Sequence, residues 1–308
     1  MEHGSLPSKT KIDPRLPEFD VKKPDELDYA EPFGTYLADR SCISSSGVRR
    51  MMNSPYAFWY WSKHAEEEED EADHFRIGKA AHLMVLENQK FREHYVVQPD
   101  FGAMQSPKNR AKRDEWRAEL PAEAVVVTQK ELDMLVKMTN NLLNHKTTAN
   151  FFHNGKPEVT GRFTHPETGI RCRIRPDYFC YDSKGDLFIF DLKTTRVDSE
   201  SLFKREMEQK RYYEQVAFYA HGMSLILKKQ VAGIGVVGMS KSEEAGYPIW
   251  LEWVEDDSYD IAKAWNDEAL RNLKRSLLTD KWPHQQTEGS MASMSPWRKS
   301  EAFPQFDY

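Results

Sequence analysis

The stretch RPDYFCYDSKGDLFIFDLKTT, Arg175–Thr195, decides how this chain reads. Its centre, DSKGD, is rich in turn formers. On either side apolar and polar positions alternate with period two, the pattern of a β-hairpin. Residues two apart on a strand point the same way, so Leu187, Ile189, Asp191 and Lys193 share one face, and Phe188, Phe190 and Leu192 the other. Carried back through IRCRIRPDYFCY as one strand, the pattern sets Arg171, Arg173, Arg175, Asp177 and Phe179 on one face. Ile170, Cys172, Ile174, Tyr178 and Cys180 take the other. A hairpin centred on Lys184, with Asp182–Asp186 as its loop, places Asp177 directly across from Asp191.

Two carboxylates side by side are destabilising unless a proton, a basic side chain or a cation compensates, and Lys193 alone cannot neutralise both. A divalent cation is the economical answer. EVTGRFT reads as a third antiparallel strand with Glu158, Thr160, Arg162 and Thr164 on one face, and a loop from His165 to Ile170 brings Glu158 opposite Asp177. Carboxylate oxygens at a partly open site suit Mg²⁺ or Mn²⁺. The plainer reading is a surface hairpin with a salt bridge. A Pro-Asp pair ahead of an Asp-x-Lys on a hydrophobic strand is more specific than that, and it fits phosphodiester hydrolysis, with the aspartates holding the metal and Lys193 orienting or activating the water. Gln215 and Tyr219, four apart on the next helix, can project toward the same substrate. Arg196, Thr194 and Thr195 are weaker candidates for phosphate contacts.

Outward from the hairpin, residues 199–229 read as helical with a break near Arg211. QVAGIGVVGMS and PIWLEWVE read as two more strands, and Tyr259–Leu278 as a helix. Upstream, Thr128–Asn150 is a long amphipathic helix, and 98–123 a polar, basic linker. In HFRIGKAAHLMVLEN, the residues Phe75, Gly78, His82 and Leu86 fall on one helical stripe, which turns His82 inward; by spacing alone it is a core residue. The serines at 44–46 cap a short helix that Pro55 interrupts, and an aromatic helix follows from Tyr56 to His64. The acidic run Glu66–Asp73 reads as a solvated loop. Residues 1–40 suggest a mobile or loosely docked arm, 41–278 the nuclease-type core, and 279–308 a tail packing back onto it.

The chain has 308 residues, 30% of them charged, and a net charge of −6, which argues against a surface that coats nucleic acid throughout. A local basic groove remains open, with Arg49–Arg50, Lys108–Arg117, Lys204–Arg205 and Lys210–Arg211 as candidates. Three scattered cysteines make neither a disulfide framework nor a zinc or iron–sulfur site. Without an apolar leader or a membrane-length apolar run, a cytoplasmic location and no membrane partner are expected.

Together GKAAH, RPDYF, FDLKTT and YYEQVAFYAHG, with the ISSSGVRRMMNSPYAFWYW segment ahead of them, resemble the PD-(D/E)xK nuclease superfamily, and within it the RecE-type exonucleases. The resemblance implies an α/β, restriction-endonuclease-like core: a central mixed sheet flanked by helices, with a RecB-like nuclease domain. It also implies a Mg²⁺-dependent exodeoxyribonuclease that digests one strand of linear duplex DNA from the 5′ end. The 3′ single-stranded tails would serve phage-type recombination with a single-strand annealing partner, and the enzyme would form a homo-oligomeric ring. Carried over residue by residue, His82, Asp177, Asp191 and the backbone carbonyl of Leu192 become metal ligands and Lys193 the catalytic lysine. Gln215 and Tyr219 match the family's QxxxY helix element, Glu158 an acidic position just before the hairpin. The alternatives are another PD-(D/E)xK nuclease, endonucleolytic or structure-specific, and a non-catalytic DNA-binding recombination module. Missing cysteines weigh against the iron–sulfur branch of the superfamily, and intact Asp177, Asp191 and Lys193 against the non-catalytic module.

Overall fold

A computed structural model describes residues 15–64 and 73–284, the side chains of 73–75 excepted. The acidic run from Glu66, the Phe75 side chain of the expected stripe, and the outermost parts of the expected arm and tail, including Trp297, lie outside the described residues.

The first elements are β1 (Glu26–Asp28), α1 (Phe33–Ala38), α2 (Ser45–Asn53) and α3 (Pro55–His64). Ser44 caps α2 by accepting from the Gly47 N–H, and Pro55 begins α3, where its missing N–H costs nothing. Then come α4 (Asp73–Leu86), α5 (Asn88–His94), β2 (Tyr95–Val97), α6 (Pro107–Ala118), β3 (Val125–Val127) and α7 (Gln129–Asn144). A reciprocal capping box between Thr128 and Glu131 fixes the start of α7. The expected linker over 98–123 is thus partly helical: α6 starts on Pro107 and buries none of its residues, so it lacks the apolar stripe that marks most helices in a sequence.

The sheet region follows as β4 (Lys156–Pro157), β5 (Thr160–Thr164), β6 (Arg171–Ile174), β7 (Tyr178–Tyr181) and β8 (Leu187–Thr195). The chain continues with α8 (Glu200–Gln209), α9 (Tyr212–Leu227), β9 (Val231–Ser240), β10 (Ile249–Trp253) and α10 (Asp256–Thr279). Arg211 takes a left-handed conformation between α8 and α9, where the helix break was expected. A mixed five-stranded sheet runs β10-β9-β8-β7-β4, with β8 and β9 parallel and the other pairs antiparallel. A second sheet, β1-β5-β6, is antiparallel.

The segment Ile170–Tyr181 is therefore not one strand. It breaks at Arg175-Pro176-Asp177 and passes from one sheet to the other, because Pro176 has no N–H to give to a ladder. The break also reverses parity. Cys172 and Ile174 on β6 pack in the same core as Phe179 on β7, while Tyr178 and Cys180 enter the core on the opposite face of the five-stranded sheet. Within the hairpin the expected register holds: Tyr178 pairs with Phe190 and Tyr181 with Leu187. Helices α2, α9 and α10 cover the first core. Gly222 lets α9 come close to the second sheet, since a Cβ there would stand 2.6 Å from the Phe163 ring.

Residues 15–40 differ from the expected loose arm. β1 adds to the edge of β5, Phe19 bridges to Ile170, and Leu16, Phe19 and Leu27 pack against the main core. The cause is charge on β6. Arg171 donates to the Pro24 carbonyl at 2.6 Å and meets Asp25 at 3.2 Å, Arg173 donates to the Asp39 carbonyl, and Arg175 donates to the Glu31 carbonyl at 3.1 Å. Three guanidinium groups that sequence alternation would offer to a ligand are largely sequestered by the N-terminal segment. Past α10, Trp282 lies against Phe58, and the Tyr56 N–H donates to the Pro283 carbonyl.

Candidate active site

The break before β7 leaves Asp177 just outside the strand. Its Oδ2 accepts from the backbone N–H of Leu192 at 2.6 Å, and continuing the β7–β8 register sets it across from Asp191. β8 then presents Asp191 and Lys193 on one face. Asp191 is fully buried, with Oδ2 2.5 Å from Lys193 Nζ and Oδ1 accepting from Gln215 Nε2 at 3.2 Å. Gln215 also donates to Tyr219 Oη at 3.0 Å, so the two α9 residues act as one bracket on Asp191. The Lys193 ammonium sits 5.0 Å from the centre of the Tyr212 ring.

α4 carries His82 into the same place. Its Nε2 donates to the Leu192 carbonyl at 2.9 Å, and its Nδ1 stands 3.8 Å from Asp177 Oδ2 and 3.9 Å from Glu158 Oε1. Glu158 has a left-handed backbone, φ 52°, and its N–H donates to the Asp177 carbonyl at 3.0 Å. Arg175 holds the other Glu158 oxygen, Nε to Oε2 at 2.9 Å, and donates to Thr160 Oγ1 at 2.8 Å. The structure thus gathers all the residues expected from the sequence, His82, Glu158, Asp177, Asp191, Lys193, Gln215 and Tyr219, together with the Leu192 carbonyl. Arg175 and Ser45, whose Oγ reaches Tyr219 Oη at 3.5 Å, were not anticipated in the centre. The alternating arginines carried a signal for the first; nothing in the spacing marks the second.

Burial pushes the Asp177 carboxyl up, and the Asp191 charge adds to it, to about 7. Burial would lower the His82 imidazole, but Asp177 and Glu158 raise it to about 9. Glu158, which burial would raise, is held below its usual range by the nearby His82 imidazole and by the Arg175 guanidinium bonded to it. For Asp177 the folded chain retains a proton that the unfolded chain gives up, so stability falls as pH rises from about 3.8 to about 7. For His82 the stabilisation is complete below 6.5 and is lost as pH rises through about 9. In chelator, the melting temperature is expected to drop between pH 6 and pH 9, with a smaller drop in Asp177→Asn. A rise over that interval would contradict the charge arrangement described here.

The donors suit a hard divalent cation. One ligand atom each from His82, Glu158 and Asp177 lie within 4.8 Å of one another, and buried Asp191 Oδ2 has no partner beyond the Lys193 ammonium. The centre opens into a cleft of about 2040 Å³ whose lining includes Lys79, Arg196, Arg205, Lys210 and Lys241. Burial lowers the Lys241 ammonium, and nearby Arg196 and Lys210 lower it further, a concentration of positive charge that favours an anion. Of the basic groups singled out in the sequence, Arg49, Arg205 and Lys210 line this cleft. Arg50 instead lies over Trp61 and Arg211 over Trp265, Lys204 pairs with Glu200 and Glu252, and Lys108–Arg117 belongs to α6, away from it.

Residues 44–289 match the model of a family described as a PDDEXK-like domain of unknown function (DUF3799). The chain belongs to this family. The PDDEXK-like description and the mixed sheet flanked by helices agree with the expected fold class. Among solved structures, the chain is similar to a "Putative exonuclease" from Eubacterium rectale, with 11% identity over 89% of this chain and 99% of that one, at a TM-score of 0.57. That likeness concerns the fold. A second structure, SSO0001, is 12% identical over 68% of this chain and 86% of that one, and its TM-score of 0.29 carries no argument. No curated protein matches the sequence. The superfamily assignment made from the motifs therefore stands, at a coarser level than the RecE-type resemblance. Among the described residues, no helix is long and apolar enough to cross a membrane.

Proposed function

We propose that this PDDEXK-family chain is a Mg²⁺-dependent deoxyribonuclease, and specifically a 5′-to-3′ exonuclease on linear duplex ends. The observation that carries the proposal is the buried Asp191–Lys193 pair beside Asp177, Glu158 and His82, at the base of a cationic cleft. Asp177, Asp191, His82 and the Leu192 carbonyl would hold the cation, with Glu158 close enough to join them. A bound Mg²⁺ supplies Lewis-acid polarisation of the phosphoryl oxygen and makes water easier to deprotonate. Lys193, fixed by Asp191 and the Tyr212 face, orients the attacking water and offsets charge that develops on the phosphate. Gln215 and Tyr219 keep Asp191 in place, and the cleft lysines and arginines bind the backbone phosphates without reading sequence.

The direction of digestion, the role in recombination, a single-strand annealing partner and a ring of identical subunits follow the RecE-type resemblance of the motifs. Purified protein with Mg²⁺ is expected to degrade linear duplex DNA, to spare covalently closed circles, and to release a 5′ label before a 3′ label. Equal cutting of circles would replace the exonuclease reading with an endonuclease one. Binding of DNA without any metal-dependent cutting would replace both with a binding module.

A further inference from the structure

A second group of potential ligands lies away from the cleft. His165 opens the turn between β5 and β6, His221 belongs to α9, and Asp267 to α10; one ligand atom of each lies within 4.8 Å of the others. On α9, His221 stands about 200° around the helix from Tyr219, so the bracket on Asp191 and this group occupy different faces of the same helix. His165 is 3% exposed, and its Nε2 is 3.2 Å from Asp267 Oδ1. Its Nδ1 lies 3.0 Å from Thr168 Oγ1 and accepts from the Thr168 backbone N–H at 3.3 Å, contacts that hold the ring with Nε2 facing Asp267. The His221 ring meets the His165 ring at 5.8 Å between centroids, and His221 Nε2 is buried without a hydrogen-bond partner. A buried ring nitrogen left without a partner is unusual in a native fold and calls for an occupant.

We propose that His165, His221 and Asp267 form a second metal site that takes Zn²⁺ or a similar transition ion. Two imidazoles and a carboxylate are donors that suit such an ion better than Mg²⁺, and three protein ligands leave one tetrahedral position for water. Lys263 opposes the site: its ammonium lies 2.6 Å from Asp267 Oδ2, although it leaves Oδ1 facing His165. The ion would join the β5–β6 turn, α9 and α10, and so brace the helix that carries Gln215 and Tyr219.

The test is a titration of the full chain with Co²⁺ in saturating Mg²⁺, followed by visible absorption and by competition with Zn²⁺. Thermal unfolding is read in parallel. One Zn²⁺ per chain is expected beyond the Mg²⁺ centre, with a higher melting temperature in Zn²⁺. His221→Gln should weaken binding at least about tenfold, as removal of one of three ligands does, and Lys263→Met should tighten it. The same stoichiometry should persist in a His82→Ala, Asp177→Ala double variant, which removes two of the three donors grouped in the proposed nuclease centre and so separates the two sites. No Zn²⁺ uptake in that double variant overturns the proposal. So does an affinity that neither His221→Gln nor Lys263→Met changes. The gain expected in Lys263→Met keeps the test decisive even if His221→Gln fails to fold.

Discussion

Asp191→Ala is expected to abolish Mg²⁺-dependent DNA cutting, with a fall in rate on the order of 10³-fold or more. The substitution removes a proposed cation ligand, and it also strips Lys193 of the carboxylate 2.5 Å from its Nζ. Asp177, whose proton Asp191 helps to retain, loses a neighbouring negative charge at the same time. Lys193→Ala should be as damaging to the rate without weakening Mg²⁺ binding, because the lysine repels the cation that the carboxylates attract. Single-turnover cutting of an end-labelled duplex, measured across a Mg²⁺ series, separates the two. Wild-type rates in either variant would remove this constellation from the chemistry.

Arg175→Ala is expected to cost stability, by roughly 3–5 kcal/mol, the range for breaking a buried ion pair from one side. The guanidinium is 8% exposed and reaches Glu158, Thr160 and the Glu31 carbonyl from the residue where the chain changes sheets. Without it Glu158 keeps a buried negative charge beside Asp177. Urea unfolding of Arg175→Ala alone and combined with Glu158→Gln checks this. The double variant should recover part of the loss, and a single-variant cost under about 1 kcal/mol, the level of an exposed pair, would refute the clamp.

The hairpin was legible because its loop and alternation fix one register, and with it the Asp177–Asp191 juxtaposition. The placement of Glu158 against Asp177 was legible for the same reason, from the length of the His165–Ile170 turn. The parity reversal at Pro176 was not, because Arg171, Arg173 and Arg175 alternate so regularly that the motif reads as continuous strand. His82 shows where periodicity stops. Gly78 and His82 face β8, while Ile77, Ala80, Ala81 and Met84 of α4 are buried. By spacing alone an inward-facing histidine is equally a core residue or a ligand until the opposing carboxylates are placed. The docking of residues 15–40 was invisible, since it rests on backbone carbonyls and on three carboxylates, Asp25, Glu31 and Asp39, that meet arginines far along the chain. α6 was missed for want of an apolar face, although Ser106-Pro107 is a legitimate helix start.

The contact between Asp25 and Arg171 spans 146 residues, and that has a consequence for how the molecule comes into being. At a synthesis rate of roughly 5–20 residues per second, the N-terminal segment is exposed for on the order of ten seconds before the arginines that hold it exist. The centre itself draws on Ser45 at one extreme and Tyr219 at the other, so it closes only after α9 has been made. A ribosome carrying half of this chain therefore holds an incomplete centre, since Asp177, Asp191, Lys193, Gln215 and Tyr219 have not yet been made.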